Sequence, residues 1–370
     1  MTGGDLSVAS ALARAAVRDL PLYAPDALPS EIDVSENVNV WGSPPASRRV
    51  LAEGPAERLN RYPSLSSTAL RDAVLRYLGL SDASGIGVVA GCGSDDVLDS
   101  AMRAFGEAGD EIAYATPTFV MIPIFARLNG LVAVPMPLGP NYEVDPQRLV
   151  DRRAKITYLC TPNNPTSTVM SREAVTYVVE HAAGLVMLDE AYAEFAPETF
   201  TSLVTRSDRL LVTRTFSKAF GLAGLRVGYG VGSAALVDLV TRARGPYKVN
   251  ALAEAAALAA LAPAPDALGW VTEHAALAVS IRQRLADALR QLGFESAPAA
   301  GNFLFVPTAQ APALARAMRE RGVLVRAMSG LPQDVPSLRA SEGHALRIGV
   351  GPWHMMERLL DAFREAIACA

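Results

Sequence analysis

The run Thr215-Phe216-Ser217-Lys218-Ala219-Phe220-Gly221-Leu222-Ala223-Gly224-Leu225-Arg226 sets a lysine among hydroxyls, glycines and an arginine, directly after a segment with strand character. A protonated lysine is a poor nucleophile. Partial burial and a neighbouring cation lower its pKa, and the neutral amine can then condense with an aldehyde to give a Schiff base. Arg226 can supply that cation and, through its planar fork, bind a phosphate. Any three of these residues alone would read as an ordinary surface loop; the twelve together favour the chemical reading.

Other residues could complete such a site. Leu185-Val186-Met187-Leu188-Asp189 reads as a buried strand that delivers an acid to its C-terminal end, where open α/β sheets bind ligands, although a lone aspartate there could also cap a turn. Gly91-Cys92-Gly93-Ser94-Asp95-Asp96 joins a strand to a helix, so the first amides of that helix can hold an anion. Thr161-Pro162-Asn163-Asn164-Pro165-Thr166 taken alone is a turn, and Phe119 among Val120, Met121, Ile122 and Phe125 is a core aromatic. Arg347 lies in the strand His344–Val350, where an arginine would ordinarily face solvent, and Arg326 closes the run Gly322–Arg326, its fork suited to an anion.

These residues need elements to carry them. From residue 86 short β-branched runs alternate with helix-length segments: Val88–Ala90, Glu111–Ala115, Leu131–Met136, Ile156–Cys160, Leu185–Leu188 and Leu210–Thr213. That alternation predicts βαβ units and a mostly parallel sheet sandwiched by helices, an α/β fold. Ser94, Thr116 to Thr118, and Ser171 are placed to cap the intervening helices. After Ala262 the pattern becomes a long helix, roughly Val271–Leu292, then strands at Asn302–Val306, Val323–Arg326 and Ala345–Val350, which predicts a smaller α+β lobe. The expected division is an N-terminal arm with part of the small lobe over 1–44, a large lobe over 45–261 and a small lobe over 262–370. The first twenty residues have the spacing of an amphipathic helix, and 329–343 reads as a long loop and candidate lid.

Composition narrows the classes. Lys plus Arg total 34 against 38 Asp plus Glu, a net charge of −4, so nucleic acid is not an expected partner. Cys92, Cys160 and Cys369 are widely spaced, and His181, His274, His344 and His354 form no metal-ligand pattern; the expectation is a reducing cytoplasm and no metal. The alanine-rich stretch Ala251–Ala262 is too short for a bilayer span, so no membrane is expected. A nucleotide-binding sheet would need a phosphate loop of a different pattern and would leave Lys218 and Asp189 unexplained.

The run Arg214–Arg226 resembles the fold-type I aminotransferases that use pyridoxal 5′-phosphate (PLP), in particular the histidinol-phosphate aminotransferase group, and the resemblance extends from about Ser35 to the C-terminus. It implies that Lys218 carries the cofactor, that Thr215, Ser217 and Arg226 hold its phosphate with Ser94 and Asp95, and that Asp189 pairs with its ring nitrogen. It further implies that Tyr192 and Asn164 meet the 3′-oxygen, that Phe119 stacks on the ring, and that Tyr62 in Arg61-Tyr62-Pro63 reaches the neighbouring subunit's cofactor in a homodimer. Arg347 and Arg326, with Asn302 and Asn37, are implied at the substrate wall.

Two departures stand out. Ser167 occupies the last position of the family's Asn-Pro-Thr-Gly motif, and the segment Ser35–Pro44 is longer than the family's Asn-Glu-Asn-Pro-x-Gly-Pro. The implied activity is amino transfer between an amino acid or histidinol phosphate and a 2-oxo acid. Decarboxylation, cyclisation or oxidation on the same cofactor is the alternative, because one cradle supports several bond cleavages at Cα. A PLP-binding sensor would need a basic DNA-binding module, which the sequence does not carry.

Overall fold

The computed structural model describes residues 8–20, 30–54, 59–81 and 84–369. Twelve strands follow one another among these: β1 (Ile32–Asp33), β2 (Ile86–Gly91), β3 (Glu111–Thr116), β4 (Val132–Pro137), β5 (Ile156–Cys160), β6 (Leu185–Asp189), β7 (Leu210–Thr215), β8 (Gly228–Ser233), β9 (Phe303–Pro307), β10 (Val323–Leu324), β11 (Arg326–Met328) and β12 (Ala345–Gly349).

Seven of them form one sheet in the order β2-β8-β7-β6-β5-β3-β4, parallel except for β8, which runs antiparallel to both β2 and β7. Every residue of β5, β6, β7 and β8 is buried. Helices cover both faces of such a sheet, which is why these strands read as continuous apolar runs instead of alternating ones. One face carries a core of Leu188, Val212, Phe216, Phe220 and Tyr229, the other a core of Leu98, Met102, Ile112, Ile156 and Met187.

Behind β7 a charged cluster is sealed in the interior. Arg214 Nε and Nη2 donate to Glu190 Oε2 at 3.0 and 2.8 Å, and Nη2 also donates to Thr201 Oγ1. The two side chains are 6% and 1% exposed. Removing one partner strands the other's charge in a dry interior, so Arg214→Met is expected to lower unfolding stability by about 3–5 kcal/mol in a denaturant titration.

The second lobe has its own core of Leu304, Val306, Leu314, Met318, Ile348 and Phe363, joined by Ile32 and Val34 from the N-terminal segment. Its sheet is the antiparallel set β11-β12-β9, while β1 pairs with β10 in parallel. The expected strand Val323–Arg326 is therefore two short strands in different sheets, divided at Val325. The long helix Trp270–Gln291 belongs to both lobes: Val271, Ala275 and Ala278 pack into the large core, Leu285 and Leu289 into the small one. Both cores thus take residues from this one helix.

Three local expectations are revised. Ser171 caps its helix by accepting from the Ala174 amide, whereas the helix Gly93–Phe105 has no side-chain cap and Thr118 instead donates to Asn163. The amphipathic N-terminal helix is two short pieces, Val8–Leu12 and Ala15–Arg18, separated where Arg14 takes extended backbone; residues 1–7 of that stretch lie outside the described residues. Segment 329–343 contains the helix Pro336–Arg339, and it buries Leu331, Val335 and Leu338 against Tyr142 and Phe305.

Candidate active site

At the C-terminal edge of β5, β6 and β7 lies a cavity of about 400 Å³. Ser94, Asp95, Phe119, Asn164, Asp189, Tyr192, Thr215, Ser217, Lys218, Arg226 and Arg347 all line it. Those residues come from separate stretches of chain, and the parallel strands gather them because each strand ends on the same edge.

Lys218 follows β7 and is part-buried, its Nζ donating to the Glu36 carbonyl at 3.1 Å and lying 5.6 Å from the centre of the Tyr192 ring. Burial first, and then the Arg347 charge, bring its pKa down from 10.5 to about 8. At neutral pH roughly a tenth of such an amine is unprotonated, against less than about a thousandth for an ordinary lysine.

Asp189 ends β6 and is 4% exposed. Tyr158 donates to its Oδ2 at 2.9 Å, and the Ala191 amide and Thr213 hydroxyl donate to Oδ1. Burial outweighs these hydrogen bonds and raises its pKa from 3.8 to about 6. A carboxylate so placed gains from a cationic partner inside the cavity.

The opposite end of the cavity suits an anion. The helix Gly93–Phe105 opens there without a side-chain cap, leaving its first amides to a ligand. Arg226 sits in left-handed backbone, φ 52°, with Nη1 3.4 Å from Ser217 Oγ and Nη2 3.4 Å from Asp95 Oδ2. A Cβ at Gly228 would fall 2.4 Å from the Ser94 nitrogen, so the close approach of β8 to this helix start requires glycine. The Ser217 amide donates to Thr215 Oγ1, which holds the two hydroxyl residues in one tight turn.

Along the side wall Arg347 donates to Asn164 Oδ1 at 2.9 Å and to the Ser35 carbonyl at 2.5 Å. With its oxygen engaged, Asn164 presents its amide hydrogens to a ligand. Asn37 donates to the Tyr192 phenol oxygen at 3.2 Å, which leaves the phenol's own hydrogen for another acceptor.

The sequence profile of the family described as "Aminotransferase class I and II" matches residues 30–363. The chain belongs to the class I and II aminotransferases. A histidinol-phosphate aminotransferase of Bradyrhizobium diazoefficiens is 35% identical over 364 residues, covering 95% of this chain and 98% of that one. An aromatic amino acid aminotransferase of Corynebacterium efficiens is 34% identical, covering 85% and 91%. The crystal structure of histidinol-phosphate aminotransferase from Sinorhizobium meliloti in complex with pyridoxal-5′-phosphate superposes with a TM-score of 0.83 at 25% identity, covering 96% and 97%.

This aminotransferase is a fold-type I enzyme that uses PLP. The cavity fits that group from its donor set alone. It has an anion cradle at one end, a buried carboxylate at the other, a phenol and an amide at the side, an aromatic face, and an amine of lowered pKa.

Four of the expected residues do not line the cavity. Asn37 and Asn302 are 1% and 2% exposed and sit one layer behind it, Asn302 donating to the Asn37 carbonyl at 3.0 Å. Asn37, on the segment after β1, donates to the Tyr192 phenol, and Asn302 immediately precedes β9. Arg326 pairs with Arg347 across β11 and β12 but holds Glu36 at 3.6 Å and opens on a neighbouring cavity beside Arg316 and Arg319. Tyr62 is 81% exposed and stacks on Tyr247 at 4.7 Å, away from the cavity of its own chain.

Tyr158, bonded to Asp189, and Glu36, on the cavity wall, are neighbours of the site that the motifs did not mark. A buried tyrosine in a strand beside the one carrying Asp189 needs a partner for its hydroxyl, and that need was the available signal for Tyr158.

Proposed function

We propose that this aminotransferase takes the amino group of a small anionic amine, histidinol phosphate foremost and an aromatic amino acid second, and passes it to a 2-oxo acid such as 2-oxoglutarate. The observation that carries this reading is that Arg347 lines the same cavity of about 400 Å³ as Lys218. The relatives bearing the two substrate names support the order of preference.

Bound PLP supplies a conjugated ring that accepts electrons from the substrate's Cα. Lys218 Nζ would hold the cofactor covalently and would carry a proton to and from the substrate's Cα. Asp189 would keep the ring nitrogen protonated. Tyr192 and Asn164 would hold the 3′-oxygen, Phe119 would cover the ring face, and Ser94, Asp95, Thr215, Ser217 and Arg226 would hold the phosphate. Arg347 would bind the substrate anion.

Steady-state assays with histidinol phosphate, phenylalanine and tyrosine as donors test the substrate order. A kcat/KM for histidinol phosphate below that for both aromatic amino acids would reverse it. Arg347→Leu is expected to lower kcat/KM for the preferred donor on the order of 100-fold, mainly through KM, since the anion loses its charge-assisted partner.

We also propose that the enzyme works in the cytoplasm as a homodimer in which Tyr62 reaches the partner's site. Leu59, Tyr62 and Leu65 are 64%, 81% and 59% exposed close together in sequence, a grouping suited to burial by a second copy. Among the described residues no single helix is long and apolar enough to cross a membrane. Sedimentation as a monomer at micromolar concentration would remove the dimer.

A further inference from the structure

Ser167 stands where the related motif ends in glycine, and the structure shows what its hydroxyl does. The residue is completely buried, with φ +64°, the left-handed region that glycine tolerates best. Its Oγ donates to the Phe303 carbonyl at 3.0 Å and accepts from the amides of Gly301 at 2.9 Å and Ala300 at 3.3 Å. Its own carbonyl accepts from the Ala300 amide at 2.7 Å. One side chain thus fastens the turn that carries Asn164 to the start of β9 in the small lobe.

That start leads directly to the cavity wall. Phe303 meets the Tyr192 ring edge-on at 5.1 Å, and Arg347 lies 5.9 Å from the Phe303 ring centre. Asn302 holds the Asn37 carbonyl, and Asn37 in turn donates to the Tyr192 phenol. Tyr192 and Asn164 therefore share a common anchor although they arise from different loops.

We propose that Ser167 is a positioning residue: its hydroxyl sets the small lobe's Gly301–Phe303 segment against the Asn164 turn, and through Asn302 and Asn37 it fixes the Tyr192 phenol. The functional consequence rests on the PLP reading above, whereas the structural relay does not. A left-handed serine is retained at a conformational cost that glycine would not carry, and the three hydrogen bonds of the hydroxyl offset it.

Two variants separate the hydroxyl from the backbone. Ser167→Ala loses the hydroxyl and keeps the backbone cost, while Ser167→Gly loses the hydroxyl and removes that cost, so the glycine variant should melt above the alanine one. Both are nevertheless expected to lose kcat/KM on the order of tenfold, with most of the loss in kcat, because the Tyr192 phenol is displaced. The pH titration of the bound cofactor's visible absorbance should shift in both.

Hydrogen exchange of the cofactor-free protein tests the relay without any reliance on PLP. Faster exchange in residues 300–303 together with residues 36–39 in both variants is the expected result. Faster exchange confined to 300–303, or wild-type kcat and an unshifted titration in both variants, would overturn the proposal. Failure of the wild type to bind PLP would sink the functional reading instead and leave the exchange pattern to decide the relay.

Discussion

Lys218→Ala is expected to reduce amino transfer by at least about 10⁴-fold while leaving the fold intact. The side chain is asked to do two things, to hold the cofactor and to move a proton, and the loss of a positioned acid–base group alone costs about 10²–10⁴-fold. Its surroundings prepare it for both. A pKa near 8 leaves a usable fraction of neutral amine, and the Glu36 carbonyl accepts from Nζ at 3.1 Å. The rate at which the cofactor-free protein captures PLP should accordingly rise with pH and level off above about 8. A variant retaining more than a hundredth of wild-type turnover would show that another base serves.

Asp189→Asn is expected to act in opposite directions on activity and on stability. The amide cannot hold the ring nitrogen's proton, so turnover should fall on the order of 10²–10³-fold, the range found when one preorganised electrostatic partner is removed. In the cofactor-free protein the same change should be stabilising at neutral pH. Folded Asp189 keeps its proton up to about pH 6, while in the unfolded chain an ordinary aspartate releases it near 3.8. The folded state therefore binds more protons between those values, and stability falls as pH rises through that window. Above it the full penalty remains, and the distance from 3.8 to about 6 corresponds to about 3 kcal/mol. Thermal melts of both proteins should therefore diverge between pH 4 and 6, in favour of the amide variant at the upper end. Equal stability at neutral pH would mean that the carboxylate is not held against its ionisation.

How much of this was legible in the sequence depended on how each feature is encoded. The strands of the parallel sheet were readable because burial on both faces makes them unbroken apolar runs such as Leu185–Asp189. β8 was not, because Gly228, Gly230 and Gly232 erase the side-chain pattern, and they are there so that the strand can lie close against its neighbours. The break between β10 and β11 at Val325 was equally hidden, since both halves carry strand-forming residues and only tertiary pairing assigns them to different sheets.

In the site, residues borne on strand ends and on the lysine loop could be located from motifs, and the cavity contains them. Asn37 and Asn302 were implied as substrate contacts, and a sequence gives no depth; the Asn37 amide donates to the Tyr192 phenol and the Asn302 amide to the Asn37 carbonyl, a layer behind the wall. Ser167 stood out only as a departure from a motif, whereas the turn keeps its left-handed backbone and the hydroxyl finds three partners on the Ala300–Phe303 segment.

The absorbance of the purified protein with PLP, recorded before and after addition of L-glutamate and then of 2-oxoglutarate, tests the central claim most directly. A visible band that forms with wild type and not with Lys218→Ala, disappears with the amino donor and returns with the oxo acid is the predicted result. A Lys218-dependent band that no amino donor alters, or no band at all in the wild type, would contradict the account.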